Sequence, residues 1–245
     1  MFAPKIAPGL VAGKQGRQKK WKSPMSGRGM LMIWTNIPDD AEADFNRWYD
    51  REHVAERVAM PGFQFGRRYR AAVDAPLRYL ALYGTESVAA LSSPGYLAAL
   101  GQQSPWSQRV LSRMTDTRRL VGTVTKRHGA GHGAKIMAGL LTVPAAEAAA
   151  ARDLLDEGLL KPAAALDGVT SAWLLEADPH LSRPVTPGAP APDPGGPLTW
   201  LIAIEAGVTD AFPAVRINGG AALSKTKLAL VDLEMLWSLE RGDLA

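Results

Sequence analysis

The chain has 245 residues, of which 47% are hydrophobic and none is cysteine. It can fill the core of one large or two small domains, but it cannot use disulfides, thiolates or cysteine-bound metals. Seven of the 28 Lys and Arg residues lie in residues 1–28, which hold no acid, and the remainder has 21 basic against 24 acidic residues. This balance argues against nucleic-acid binding by the folded part.

Residues 1–28 are predicted to be a disordered basic tail, or sequence upstream of a start such as Met25. They lack the apolar stretch of a secretory signal, and no run of about 18 apolar residues occurs elsewhere. We therefore expect no membrane partner. The absence of cysteine favours a cytoplasmic location.

Residues 29–127 are predicted to form a first module. Pro38 ends its first strand, and Asp39 is expected to cap the following helix, with Glu42 completing a capping box. The predicted elements are a strand at 30–37, a helix at 42–58, strands at 63–71 and 77–83, helices at 87–101 (broken near 93–95) and 105–114, and a strand at 117–126.

A glycine-rich segment, 128–134, is predicted to link this module to a second one at 135–241. Seven prolines in 178–197 indicate an extended insertion that cannot pair as a sheet. The remaining predicted elements are a strand at 136–143, a helix at 145–160, strands at 168–176 and 198–204, a short helix at 209–217 and a strand within 227–237.

The two modules repeat each other. At an offset of 106 residues, Ile37-Pro38 falls on Val143-Pro144 and Pro61-Gly62 on Asp167-Gly168, whereas His53 falls on Leu159. The predicted order of elements in each module is strand, helix, strand, strand, helix, strand. This is the order of a ferredoxin-like βαββαβ unit of the α+β class. Each unit leaves one apolar sheet face bare. We therefore expect the units to pack sheet to sheet as a pseudo-dimeric α+β barrel, with a ligand cavity between the sheets.

The segment from Phe45 to Arg57, with Tyr49, His53 and then Pro61-Gly62, resembles the dimeric α+β barrel superfamily and most of all its EthD-like branch. In that branch the first helix carries an aromatic-x-x-x-His element, followed by Pro-Gly at the next strand. The resemblance implies a fused, tandem version of a barrel that usually forms between subunits. The superfamily includes muconolactone isomerases, polyketide cyclases, cofactor-independent monooxygenases and haem-dependent enzymes, so the fold implies a cavity but no single reaction.

His53 is the main catalytic candidate, because an imidazole can take and give a proton near neutral pH without a cofactor. The alternative is a structural histidine near a helix end. Tyr49, one turn earlier, would share its helix face and could orient the imidazole or bind a substrate oxygen, although an aromatic there is commonly core. Glu52 and Glu56 lie near His53, but a stable metal site needs more converging ligands, so no metal is expected.

All five tyrosines lie in the first module, which suits a pocket for an aromatic ligand. On the hairpin, Tyr69 is expected to share a face with Phe63 and Phe65, and Tyr79 with Tyr83, with the inward face undetermined. The candidate substrate-binding residues are Trp34, Asn36, Arg67, Arg68, Tyr69, Tyr79 and Tyr83, for each of which a structural role is the alternative.

These residues support one main hypothesis and two alternatives. The main hypothesis is a cofactor-independent isomerase, cyclase or lyase that uses His53 acid/base chemistry on a small hydrophobic, aromatic or carbonyl-containing metabolite. The alternatives are a non-catalytic small-molecule-binding protein and a haem-dependent member of the superfamily. The duplication predicts a monomer with an internal pseudo-dimer, or a homo-oligomer of such chains.

Overall fold

The structure is a computed structural model that describes residues 28–72, 74–183 and 190–244. Its strands are β1 (Gly29–Asn36), β2 (Phe63–Ala71), β3 (Tyr79–Thr85), β4 (Thr115–Gly129), β5 (Lys135–Val143), β6 (Val169–Ala177), β7 (Leu198–Ala206) and β8 (Val231–Glu240). They close into one antiparallel barrel in the order β1-β3-β2-β8-β5-β7-β6-β4. The predicted α+β class and the closed barrel are confirmed.

The helices lie outside the barrel. They are α1 (Asp39–Trp48), α2 (Val54–Val58), α3 (Pro94–Gly101), α4 (Pro105–Leu111), α5 (Ala148–Leu155), α6 (Lys161–Ala164), α7 (Pro179–Ser182), α8 (Phe212–Asn218) and α9 (Gly220–Thr226). The predicted basic tail falls almost wholly outside the described residues, as does the segment 184–189 of the predicted proline-rich insertion.

Each half of the chain supplies four neighbouring strands in the order fourth, first, third, second. The two halves join where β2 pairs with β8 and where β4 pairs with β6; Arg68 is opposite Trp237 at the first joint, and Arg127 is opposite Trp173 at the second. Every strand therefore has two neighbours, and a single chain closes its own barrel without an open sheet edge.

The barrel interior is filled by side chains from both halves, including Trp34, Tyr69, Trp173 and Leu201. The outer face of the first half packs against its helices through a separate cluster that contains Phe45 and Tyr83. The strands are thus buried on both faces. The space in which the ligand cavity was expected is packed with these side chains, and His53 lies outside the barrel, beside Tyr83 of the outer cluster.

The start of α1 differs from the predicted capping box. Pro38 occupies the position before the helix, and no side chain caps the first turn. Asp39 and Glu42 instead accept hydrogen bonds from the Arg78 guanidinium at 3.3 and 3.0 Å. The capping prediction was wrong because charge-assisted bonds to this arginine hold both carboxylates on the hairpin side.

Two glycines mark corresponding positions of the halves. Gly62 has φ +83° and Gly168 has φ +82°, and the two are 106 residues apart. Each precedes the strand that follows its half's first helical segment. A left-handed backbone at these turns favours glycine, which explains why both positions carry it.

The linker is shorter than expected. His128 and Gly129 belong to β4, where Gly129 pairs with Ser171, and His128 Nε2 lies 2.6 Å from Asp156 Oδ1. These contacts extend the strand into the glycine-rich sequence, so the connection begins at residue 130. The proline-rich insertion starts with α7, which is capped by the carboxylate of Asp178.

Candidate functional site

His53 lies in a widened helical turn. Residues Tyr49–His53 form a π turn between α1 and α2, closed by the Val54 N–H donating to the Tyr49 carbonyl. The second half has a matching π turn at Asp156–Leu160, so the turn is common to both halves and does not by itself mark a functional site. The rings of Tyr49 and His53 lie 5.5 Å apart and nearly perpendicular, so the two side chains are in contact, as their spacing predicts.

Beside this turn is a cavity of about 280 Å³ between the outer face of the first half's strands and its helices. Its wall is mainly apolar with a few polar groups, which is typical of small-molecule sites. The lining residues are Leu31, Ile33, Tyr49, His53, Arg57, Tyr83, Tyr96, Leu100, Gln103, Leu111, Met114, Thr117 and Arg119.

The imidazole of His53 is neutral at physiological pH. Burial, and then the nearby charges of Arg57 and Arg68, hold its pKa well below the ordinary value of 6.5. The side chain stacks on Trp48, and its buried Nδ1 has no hydrogen-bond partner among the described residues. A neutral imidazole has one accepting and one donating nitrogen, so it can take a proton or hold an oxygen.

Two of the three phenols that line the cavity, those of Tyr49 and Tyr83, remain protonated. Burial raises the pKa of Tyr49 to about 12, against the smaller opposing effects of Arg68 and Arg57. Burial also raises the pKa of Tyr83 well above its ordinary value. The Tyr83 hydroxyl is buried and has no partner in the described part of the chain. It is therefore a free donor in the cavity wall.

Arg68, one of the candidate contacts, does not line the cavity. It lies behind Tyr49, with its guanidinium carbon 4.0 Å from the ring centroid, and donates to Asn46 at 2.9 Å and Asp50 at 3.3 Å. Its role is to support Tyr49 and to place positive charge near His53. Sequence reasoning missed Arg57, although its position four residues after His53 on a helix indicates a shared face.

Three further candidate residues have structural bonds instead. Trp34 faces the barrel interior and donates to the Leu77 carbonyl at 3.1 Å. Asn36 accepts from the Arg78 backbone N–H at 2.8 Å and so holds the hairpin. The Tyr79 hydroxyl donates to the Glu42 carboxylate.

Arg67 and Tyr69 point into the barrel, on the opposite side of the sheet from His53. Phe65 is also inside, whereas Phe63 lies outside because the β2–β3 register shifts between residues 63 and 65. The expected common face of Phe63 and Tyr69 was therefore wrong. The shared face of Tyr79 and Tyr83 is present, and it is the outer one.

A polar cluster near Arg67 was not predicted. Glu205 is 1% exposed and accepts from Trp173 Nε1 at 2.8 Å. Arg67 Nη1 is 2.7 Å from His132 Nδ1, and the same nitrogen of His132 is 3.3 Å from Glu205 Oε2. Burial raises the pKa of Glu205, but the neighbouring His132, Trp173 and Arg67 outweigh it, and the net pKa lies below the ordinary value.

The second half fills the corresponding position with apolar side chains. Tyr83 pairs with Leu31 across the first half, and Ile204 pairs with Met137 across the second, so Ile204 stands where Tyr83 does. Leu159, at the repeat position of His53, is fully buried in the second half's outer cluster. The polar site is confined to the first half.

Within the described ranges, no group of three or more His, Asp or Glu side chains is arranged to hold a metal ion. In the same part of the chain, no helix is long and apolar enough to cross a membrane.

The sequence matches no protein-family model, and a comparison with curated proteins gave no match. Solved structures share the fold at low identity. An anthrone oxidase-like protein has a TM-score of 0.64 and 12% identity, over 91% of this chain and 97% of its own. A candidate monooxygenase of Fusobacterium nucleatum has a TM-score of 0.56 and 8% identity, over 88% and 95%. One of Lactobacillus acidophilus has 0.53 and 9%, over 88% and 97%. At these identities the likeness shows only that this chain shares their fold.

Proposed function

We propose that this protein is a cofactor-independent enzyme of the isomerase, cyclase or lyase type. Its substrate is a small hydrophobic molecule with an aromatic ring or a carbonyl group, bound in the cavity beside His53. The observation that supports this proposal is that one apolar cavity is lined by the neutral imidazole of His53 and the hydroxyl of Tyr83, and that the imidazole Nδ1 and this hydroxyl have no hydrogen-bond partner among the described residues.

The chemistry begins with transfer of a proton from an activated C–H to a nitrogen of His53. The electron pair moves into the carbonyl, and the resulting enolate oxygen accepts a hydrogen bond from the Tyr83 hydroxyl. The protonated His53 then returns its proton, at the same carbon or at another one. Return at another carbon is an isomerisation, whereas attack by the enolate carbon or loss of a leaving group gives cyclisation or cleavage.

We further propose that the two halves are fused ferredoxin-like units and that the first is EthD-like. The matching strand orders and the glycines at positions 62 and 168 support the duplication. The aromatic-x-x-x-His element of Tyr49 and His53 supports the EthD-like assignment. In this proposal one chain suffices for a barrel, and the location is cytoplasmic because the chain has no cysteine.

The second candidate function is ligand binding without turnover. It is favoured by the same burial that lowers the pKa of His53, because a base with a low pKa gains less from accepting a proton. The cavity then holds an aromatic ligand between Tyr49, His53 and Tyr83, and no bond changes.

A haem does not fit the residues around His53. The cavity of about 280 Å³ is slightly smaller than the roughly 300–1,000 Å³ that is usual for pockets of drug-sized ligands, and a porphyrin is larger than such ligands. No step is therefore assigned to haem.

Hydrogen–deuterium exchange tests the proposal. Anthrone has an acidic CH₂ beside an aromatic ketone system, and the named structural neighbours include an anthrone oxidase-like protein. In oxygen-free D₂O, we expect the protein to accelerate exchange of this CH₂ about 100-fold over buffer. A parallel aerobic sample shows whether dioxygen consumes the carbanion and gives anthraquinone.

The matched variants are His53→Ala and His180→Ala, the latter at an exposed histidine of α7. We expect only the first to return exchange to the rate in buffer. A normally folded His53→Ala protein that keeps full exchange would overturn the assignment. Tight binding of anthrone without any accelerated exchange would favour the binding function.

A further inference from the structure

The cavity beside His53 contains a buried cation that forms no ion pair with any described residue. Arg57 is 4% exposed and lines the cavity. Its guanidinium makes no ion pair with a carboxylate in the described part of the chain. Its hydrogen-bond contact is from Nη1 to the Met60 sulfur at 4.0 Å, and a thioether is a weak acceptor. A buried charge in such surroundings costs free energy unless an anion meets it.

The neighbouring arginines are already occupied. Arg68 is also buried, but it donates to Asn46 and Asp50. Arg119 also lines the cavity and forms no ion pair in the described part of the chain, but it is only partly buried and its guanidinium donates to the carbonyls of Leu181 and Arg183. Arg57 is thus the more deeply buried of the two lining arginines, and its hydrogen-bond contact within the described ranges is a thioether rather than an oxygen.

No carboxylate belongs to the cavity wall formed by the described residues. The wall otherwise consists of apolar side chains, neutral polar groups and the neutral His53. The electrostatic field of the cavity is therefore positive at Arg57, in a low-dielectric setting where a single charge acts strongly.

We infer that the natural ligand of this cavity is an anion: a flat, hydrophobic molecule with one ionised oxygen group, carboxylate or phenolate, that binds Arg57. This inference rests on the proposed function, and it adds the charge of the molecule that the cavity binds. The apolar wall receives the ring system, and the guanidinium receives the oxygen.

Anion binding at Arg57 also has a consequence for His53. The charge of Arg57 is one of the causes that keep the pKa of His53 low. An anion on the guanidinium screens that charge and raises the pKa of the imidazole, which makes it a stronger base once ligand is bound.

Three naphthalene probes test this inference: 2-naphthoate, its neutral counterpart 2-naphthamide, and 2-naphthol. We expect the unaltered protein to bind 2-naphthoate at least about tenfold more tightly than 2-naphthamide by calorimetry. If phenolate is the preferred group, the protein should bind 2-naphthol in its ionised form at a pH at which the free molecule is neutral. The absorption spectrum of bound 2-naphthol then shows the ionised form. Equal binding of the acid and the amide, with 2-naphthol bound neutral, would overturn the inference, as would no binding of any probe at millimolar concentration.

The variants are Arg57→Gln, Arg57→Lys and the surface control Arg113→Gln, whose side chain pairs with Asp40 at the protein surface. We expect Arg57→Gln to abolish the preference for the ionised probe and to leave 2-naphthamide binding unchanged. Arg57→Lys should keep part of the preference, and it provides a second test in case Arg57→Gln does not fold. Arg113→Gln should keep the whole preference. A persistent preference in folded Arg57→Gln contradicts the assignment.

The result is separable from that of the proposed enzyme. His53→Ala should remove hydrogen–deuterium exchange and keep the preference for the ionised probe. A preference that depends on Arg57, without exchange in any variant, refutes the catalytic proposal and supports the anion site. Exchange that depends on His53, without a preference for the ionised probe, supports the catalytic proposal and refutes the anion site.

Discussion

The imidazole of His53 stacks on the indole of Trp48, with ring centroids 4.1 Å apart and an interplanar angle of 26°. The Trp48 N–H donates to the Ser107 hydroxyl at 3.0 Å, and that hydroxyl donates to Glu52 at 3.2 Å. The orientation of the histidine is therefore fixed by a chain of packed and hydrogen-bonded groups. This geometry holds a neutral imidazole in place without a bond to its own Nδ1.

The burial of His53 should make the protein less stable in mild acid. Its folded pKa lies well below 6.5, so below pH 6.5 the unfolded chain binds a proton that the folded chain does not. As the pH is lowered below 6.5, the free energy of unfolding therefore decreases, by up to about 1.4 kcal/mol per pH unit. Above pH 6.5 this group contributes no pH dependence.

Chemical denaturation of His53→Gln at several pH values checks this. We expect a shallower loss of stability between pH 6.5 and 5 than in the unaltered protein. His180→Gln, at an exposed position, should keep the original slope. Identical slopes for all three proteins would show that His53 is protonated in the folded state.

Tyr83→Phe should separate stability from function. The Tyr83 hydroxyl is buried without a partner in the described part of the chain, so its removal should leave the free energy of unfolding unchanged or raise it by about 1 kcal/mol. If the hydroxyl donates to a substrate oxygen, proton exchange should fall by roughly ten- to a hundredfold.

Tyr79→Phe is the matched comparison for Tyr83→Phe. It removes the hydroxyl that donates to Glu42, away from the cavity, and should lower stability by about 1 kcal/mol with exchange retained. Thermal unfolding and the exchange assay measure both effects. A destabilised Tyr83→Phe protein with normal exchange would show that this hydroxyl has a structural role.

Much of the first half could be predicted from sequence because turn residues and periodicity agree there. The strand Phe63–Ala71 has the predicted bounds, since Pro61-Gly62 ends the preceding helix. The contact between Tyr49 and His53 also follows from helical spacing. The π turn could not be predicted, because one widened turn leaves the pattern of apolar residues almost unchanged.

The side of the sheet that holds the cavity could not be inferred either. Strand β3 is buried at every position, because one face meets the barrel core and the other meets helices. Alternation of polar and apolar residues, which would identify the inner face, is then lost. Glu205 gave no signal for the same reason: it lies near the end of an otherwise apolar run, and its partner Trp173 comes from the adjacent, paired strand β6.

Glu205 should stabilise the barrel above acidic pH. Its pKa is lowered in the folded protein, so its contribution is present above about pH 4.5, the ordinary value, and is lost as the pH falls through the folded pKa. Glu205→Ala also leaves the Trp173 N–H unpaired inside the barrel. We expect a loss of about 3 kcal/mol at pH 7.

Denaturation at pH 7 with two further variants tests the contribution of Glu205. Glu205→Gln keeps an acceptor for Trp173 and should cost about 1 kcal/mol. Glu234→Gln removes a carboxylate whose side chain is 63% exposed and should change stability by less than about 0.5 kcal/mol. If Glu205→Ala is as stable as Glu234→Gln, the buried carboxylate is not a structural element of the barrel.

The paired turns of the two halves should differ in their tolerance of a side chain. Gly62→Ala places a methyl group at φ +83° and 2.7 Å from the Ala90 Cβ, so backbone strain and a steric clash add, and we expect a loss of about 2 to 3 kcal/mol. Gly168→Ala has the same backbone strain, but its nearest contact is 3.5 Å, which predicts about 1 kcal/mol. In contrast, Gly95→Ala in α3 meets nothing within 4 Å and should stabilise the protein by up to about 1 kcal/mol. Urea denaturation of the three variants gives the order, and equal losses at positions 62 and 168 would contradict the close packing of the first turn against Ala90.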